Sequence, residues 1–281
     1  MCRGRQEAWW CRTEEDDGRL PTSGRCPHRR GVRIVRVEPS ALLSVAEDDA
    51  RGLLAAAETD WGRPVPQCSK WDAAGLVRHT GGIFLWMAAI VTSSERVSRR
   101  TLDPAPEDPA ELAAWYLGSL DQTLAALGVA DPDHLTWTFS STGDRRVCWW
   151  CRRLAVEVAI HRWDAQHAMS DGGSGPDPLD GEVATAGIEE HVVEFLPGLL
   201  AQEAVKGLAG TLHLHATDRP GDWWMDLDAP GAAISGQENA DTDVRGTRSD
   251  LLLWLTNRGP LNTIEVSGNR QVDERWGQLR R

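Results

Sequence analysis

Glu157 and His161 stand four residues apart, so on a helix a carboxylate and an imidazole project side by side. Trp150, Leu154 and Ala168 fall on the same helical face, which turns that face toward a core. In a second segment His79 is followed by Ile83, Trp86 and Ile90 at offsets of four, seven and eleven, so its ring also points inward. A lone inward histidine reads as a satisfied core residue, and Glu157 with His161 reads equally as a hydrogen-bonded pair. The set of three, drawn from two helices, reads differently. Leaving an ionised carboxylate buried without its partner costs about 3–5 kcal/mol, and a cation compensates it directly. Two histidines and a carboxylate that leave a coordination position open describe many catalytic zinc sites. Asp164, three residues beyond His161, shares the face and is expected to support a ligand from behind.

The elements that must carry these side chains are legible from periodicity. Leu42, Leu43, Ala46, Ala50, Leu53, Leu54 and Ala57 recur at helical spacing after Pro39, predicting a first helix that ends before the loop at 61–66. Asp72 caps a second helix running to about Val91. Asp108-Pro109 opens a third, with Leu112, Trp115, Tyr116, Leu120 and Leu124. A fourth runs from near Arg145 to about Met169, where Ser170 to Pro176 stops it. Four helices of similar length predict an up-down bundle. A further helix is expected over Gly181 to Leu196. Beyond about Lys206 the period becomes two: Thr211 to Ala216 alternates, and a turn at Asp218 to Asp222 leads back through Trp223 to Leu227, a hairpin. A helix capped by Ser249, a strand at Thr263 to Val266 and a short helix around Trp276 complete an α+β region. The predicted organisation is therefore residues 1–36 as a disordered leader or a start assigned too early, 37–205 as the bundle and 206–281 as the α+β domain, in keeping with about two domains for 281 residues.

Composition narrows the function classes. A formal charge of -12 opposes binding to a phosphate backbone, so no nucleic-acid partner is expected. The longest apolar run, Gly81 to Val91, falls short of the ~18–20 residues that span a bilayer, so no membrane association is expected. The first 36 residues hold no apolar core of a secretory signal. Six cysteines in a chain this long do not make a disulfide scaffold, and a cytoplasmic location would keep them as thiols.

Trp71-Asp72-Ala73-Ala74-Gly75-Leu76-Val77-Arg78-His79 and Glu157-Val158-Ala159-Ile160-His161-Arg162-Trp163-Asp164-Ala165-Gln166 resemble the two hallmark helices of mycothiol-dependent maleylpyruvate isomerase-like proteins. The resemblance continues through Gly187 to Glu190, Ala240-Asp241, Val244 to Gly246 and Leu251 to Leu255, covering about Ala41 to Trp276. It implies a DinB-like helical bundle with a small C-terminal α+β domain, and a divalent metal, usually zinc, on His79, Glu157 and His161. Gly75 departs from the pattern, standing where an acidic residue is common. A thiol such as mycothiol, held deprotonated in the open position, is then a nucleophile at neutral pH. Added to the conjugated double bond of maleylpyruvate, it allows rotation before it is expelled; with another small electrophile it leaves a stable conjugate. Such acceptors carry carboxylates or carbonyls that arginine clamps. Arg258, after the Trp254 helix, is the preferred catalytic clamp over Arg78 and Arg245. The alternative to an enzyme is a metal-binding interaction or regulatory protein with a structural site.

Other features are set aside. Cys148-Trp149-Trp150-Cys151 lies at the edge of the fourth helix with no βαβ context, so it is read as packing and not as a redox pair. Cys2, Cys11, Cys26 and His28 match no compact metal spacing. His213 and His215 face one side of a strand but have no third ligand near in sequence. His167 is turned away from the metal face.

Overall fold

A computed structural model of the chain describes residues 37–170, 175–200, 208–228, 240–258 and 261–269, together with Val272 and Trp276. The reading of residues 1–36 lies outside the described residues. By packing, the chain divides into Arg36–Val183 and a unit holding Ala184–Arg281. The sequence reading places its boundary at 205/206 instead, and the difference is that most of the helical stretch from residue 181 groups with the sheet.

The first unit is helical. Helix α1 (Pro39–Ala57) opens on a proline, whose missing N–H costs nothing at a first turn, and buries Leu42, Ala46, Ala50, Leu53, Leu54 and Ala57. Helix α2 (Ala73–Ser93) is capped by Asp72, whose side chain accepts from Gly75 N at 2.7 Å. It ends at Ser94 in the left-handed conformation, with the Ser94 N–H returned to Ile90 O. Helix α3 (Pro109–Val129) is capped by Asp108, which accepts from Ala110 N at 2.8 Å. Helix α4 (Val147–Met169) is buried around most of its circumference. Helix α1 packs on α4, and α2 packs on α3 and reaches α4. The four-helix bundle is as expected, and Asp72 and Asp108 are the caps the sequence points to.

Helix α2 corrects one reading. Its 21 residues have an 18-residue window of mean hydropathy 1.4, long and apolar enough to cross a membrane by length and composition. The apolar run looked shorter because Arg78 and His79 interrupt it. That window is 61% buried inside the protein, as in a bundle core helix.

Close packing of α2 on α3 depends on Gly81. A Cβ built there would overlap the ring of Trp115, which explains why a glycine is kept in a helix interior at a cost of about 1 kcal/mol. Gly81→Val is expected to lower stability by about 1–3 kcal/mol through overpacking, seen as a lower denaturation midpoint at unchanged slope. A midpoint equal to that of the parent would mean that Trp115 swings aside freely.

In the second unit, helix α5 (Gly181–Glu190) passes through a wide π turn at His191–Phe195 into α6 (Leu196–Leu200). The expected end at Leu196 is corrected. Pro197 has no N–H to continue an α-helical ladder, and the Leu196 N–H reaches back five residues to His191 O, which carries the chain past it. Strands β1 (Thr211–Ala216), β2 (Asp222–Asp226), β3 (Thr242–Gly246) and β4 (Glu265–Gly268) form one sheet in the order β2-β1-β3-β4. The β1–β2 hairpin is antiparallel as predicted, pairing His213 with Trp224 and His215 with Asp222. Strand β3 lies parallel to β1 and antiparallel to β4. It is absent from the sequence reading, since Thr-Asp-Val-Arg-Gly contains a single large apolar residue to mark the alternation. Strand β4 sits two residues later than predicted, after a short 3-10 turn at Leu261–Thr263. Helix α7 (Arg248–Leu255) is capped by Thr247, which accepts from Asp250 N, and not by Ser249. Trp276 is buried and stacked on Trp254 with 5.1 Å between ring centroids.

Candidate metal centre

Arg153, Glu157, His161 and Asp164 follow one another at offsets of four, four and three, so a single face of α4 carries all four side chains. All are buried. Leu154, Val156, Val158 and Ile160 of the same helix are buried as well. Helix α2 supplies His79 from across the bundle. Its Nε2 lies 3.4 Å from Glu157 Oε1, and His161 Nε2 lies 3.3 Å from the same oxygen. The two imidazoles meet edge to face, 5.2 Å between centroids, and one donor atom from each of the three residues falls within 4.8 Å of the others.

These separations suit a tetrahedral cation. Ligands about 2.0–2.1 Å from zinc stand about 3.4 Å apart along a tetrahedral edge, which is the spacing between Glu157 Oε1 and each imidazole. The proton inventory agrees. Asp164 Oδ2 accepts from His161 Nδ1–H at 3.0 Å, which places the proton on Nδ1 and turns the Nε2 lone pair toward Glu157, the tautomer a metal needs. Trp71, next to the α2 cap, lies against His79 with 4.3 Å between ring centroids.

One residue was missed. Arg153 Nη2 contacts Glu157 Oε2, and both side chains are nearly inaccessible. The charge of Glu157 is therefore met by a guanidinium, so burial of the carboxylate does not by itself demand a metal. What points to one is the convergence of two imidazole nitrogens on the other oxygen. The signal was available, since Arg153 precedes Glu157 by one helical turn.

Cys68 lies near His161 and Asp164 with its sulfur placed as a possible ligand, but it is disulfide-bonded and offers no thiolate there. That also corrects the expectation of thiols throughout. Cys148 and Cys151 are free. Both sit in the first turns of α4, and burial pushes both thiols up, Cys151 to about 12, so neither is a nucleophile at neutral pH. Their reading as packing residues fits.

The arginines divide by unit. Arg78 donates to Pro106 O and Glu107 O and pairs with Glu107. Arg245 is exposed on β3, and Arg258 is buried beyond α7, donating from Nη1 to Thr256 O at 2.9 Å. His167 stacks on Trp163.

The model of the mycothiol maleylpyruvate isomerase N-terminal domain matches residues 43–166, and that of the corresponding C-terminal domain matches 182–275. The chain belongs to the mycothiol-dependent maleylpyruvate isomerase-like family. The N-terminal match spans His79, Glu157, His161 and Asp164; the C-terminal match spans Arg258. Crystal structures of mycothiol-dependent maleylpyruvate isomerase and of a histidine-to-alanine mutant of it are similar to this chain. Each has a TM-score of 0.58 at 14% identity over 82% of this chain and 93% of theirs, a likeness of fold. No curated protein matches the chain.

Proposed function

We propose that this member of the isomerase-like family is a divalent-metal enzyme that uses a low-molecular-weight thiol of the mycothiol class. Its reaction is cis-trans isomerisation of a maleylpyruvate-type acceptor or S-transfer to a small electrophile. The observation that carries this reading is the convergence of His79 Nε2 and His161 Nε2 on Glu157 Oε1. These three residues would hold the cation, zinc by its donor set. When bound, it would supply a lowered thiol pKa, so that thiolate is present at neutral pH.

The remaining work belongs to the chain. Asp164 holds the proton on His161 Nδ1, keeping Nε2 available. Arg153 pairs with Glu157 Oε2 and directs that oxygen away from the imidazoles, leaving Oε1 facing them. Trp71 packs against the His79 ring and limits its rotation. In the isomerisation, a C–S bond forms at the double bond, the new single bond rotates, and the C–S bond breaks to return the thiol, with no net redox change. In S-transfer the adduct takes up a proton and is released.

Titrating mycothiol into zinc-loaded protein by calorimetry tests this. Stoichiometric binding with proton release is expected, together with its loss in His79→Ala. Zinc-loaded protein that binds no thiol would sink the enzymatic reading and leave a metal-binding interaction or regulatory role.

A further inference from the structure

On the sheet, the register brings a second set of metal-ligating side chains together. His213 and His215 project from one face of β1, and Asp222, Trp224 and Asp243 stand cross-strand from them. His213 Nε2 and His215 Nδ1 each lie 2.8 Å from Asp222 Oδ1, and His213 Nδ1 lies 2.7 Å from Asp243 Oδ1. Trp224 stacks on His213, 3.9 Å between centroids and 12° between planes, which fixes the ring.

A count of protons shows that this cluster needs one more positive charge than two neutral histidines provide. Carboxylates at neutral pH only accept hydrogen bonds, so three nitrogen-to-carboxylate contacts need three N–H groups. Two neutral imidazoles supply two. One nitrogen lone pair therefore faces a carboxylate oxygen at hydrogen-bonding distance unless a second proton sits on His213, or the groups move apart to about 3.4 Å around a shared metal ion. The connectivity repeats that of the bundle, at 2.8 Å where the bundle has 3.3–3.4 Å: two imidazoles converge on one carboxylate oxygen, and a second carboxylate holds the far nitrogen of one ring, the hydrogen bond that orients a metal-bound histidine. One donor atom each from His213, His215 and Asp222 falls within 4.8 Å of the others. Asp222 was out of reach of sequence reasoning because only the hairpin register delivers it.

We infer that His213, His215 and Asp222 form a second divalent-cation site on the β1–β2 hairpin, with Asp243 positioning His213. Two imidazoles and one carboxylate select zinc, nickel or copper over magnesium or calcium. Asp222 is 50% and His215 32% exposed, so the ion would exchange with solvent and keep positions open for water or an added ligand. Arg245, cross-strand from His215, brings a positive charge to this face, and Glu265 opposite Arg245 brings a compensating negative one. The inference does not depend on the bundle site.

The experiment is titration of the full chain with Zn2+ alone, by calorimetry and equilibrium dialysis. The expected result is two equivalents for the parent, one for His215→Ala and one for Asp222→Asn, which keeps the shape of the side chain. His79→Ala is expected to retain the sheet site, so loss of the bundle site and loss of this one are separately visible. Ring nitrogen resonances of His213 and His215 should shift with the equivalent that His215→Ala and Asp222→Asn abolish. The inference is overturned if parent, His215→Ala and Asp222→Asn bind the same number of ions, or if the extra equivalent binds more weakly than about 100 µM, as scattered surface histidines do.

Discussion

Glu157→Ala is expected to lower the stability of the metal-free protein by about 3–5 kcal/mol. Arg153 and Glu157 are one helical turn apart, both nearly inaccessible to solvent, and their attraction offsets the cost of taking two charges out of water. Removing the carboxylate leaves the guanidinium buried without the Glu157 charge, and that part of its desolvation cost is no longer offset. The measurement is denaturant unfolding in the presence of a chelator, so that ligand binding does not add to native-state stability. The double variant Arg153→Met with Glu157→Ala should recover most of the loss, because a flexible apolar side chain replaces the buried charge. A loss under about 1 kcal/mol, or a double variant no more stable than the single one, would show that water reaches Arg153 and that the pair is not buried in solution.

How far such an account could be built from the sequence depends on whether each feature is local. The stripes of α1 to α4 repeat every three or four residues over about 20 positions, and Asp72 and Asp108 act within three residues of themselves, so both are legible. His79, Glu157 and His161 are legible for the same reason: each sits on a face already identified as inward. Arg153 was equally legible by spacing, and went unused because charged residues are habitually assigned to solvent. The α7 cap was missed in the same way. Thr247 with Asp250 fits the capping pattern of a hydroxyl residue followed three positions later by an acid, whereas Ser249 has Leu252 in that place. By contrast, β3 owes its existence to pairing with β1 on one side and β4 on the other, which five residues with one valine cannot announce. The meeting of Asp222 with His213 and His215 is likewise a product of register, and a shift of one residue would send Asp222 to the opposite face.

Asp164→Asn is expected to weaken zinc binding at the bundle site by about 10–100-fold, and His161→Ala to abolish it. The comparison isolates what Asp164 contributes. Its carboxylate accepts from His161 Nδ1–H at 3.0 Å, which leaves the lone pair on Nε2, and a carboxylate behind a ligating histidine strengthens it as a ligand. Asparagine has nearly the same shape but no charge, and it can present either face of its amide. With the carbonyl toward Nδ1 the ring keeps its tautomer and loses only basicity, a loss at the lower end of the range. With the NH2 group toward Nδ1 the amide donates, the ring proton moves to Nε2, and the ligand lone pair is gone until the amide turns again, a loss at the upper end. Competition against a chromophoric chelator gives the affinities, best read in a His215→Ala background so that ions on the sheet do not contribute. Ring nitrogen spectra of the metal-free protein identify the tautomer independently of any metal. If Asp164→Asn binds zinc as tightly as its parent while His161→Ala does not bind it, His161 is a ligand whose orientation is set by packing alone. If neither change alters binding, the ion is held elsewhere, and the thiol chemistry assigned to this end of the bundle has no site.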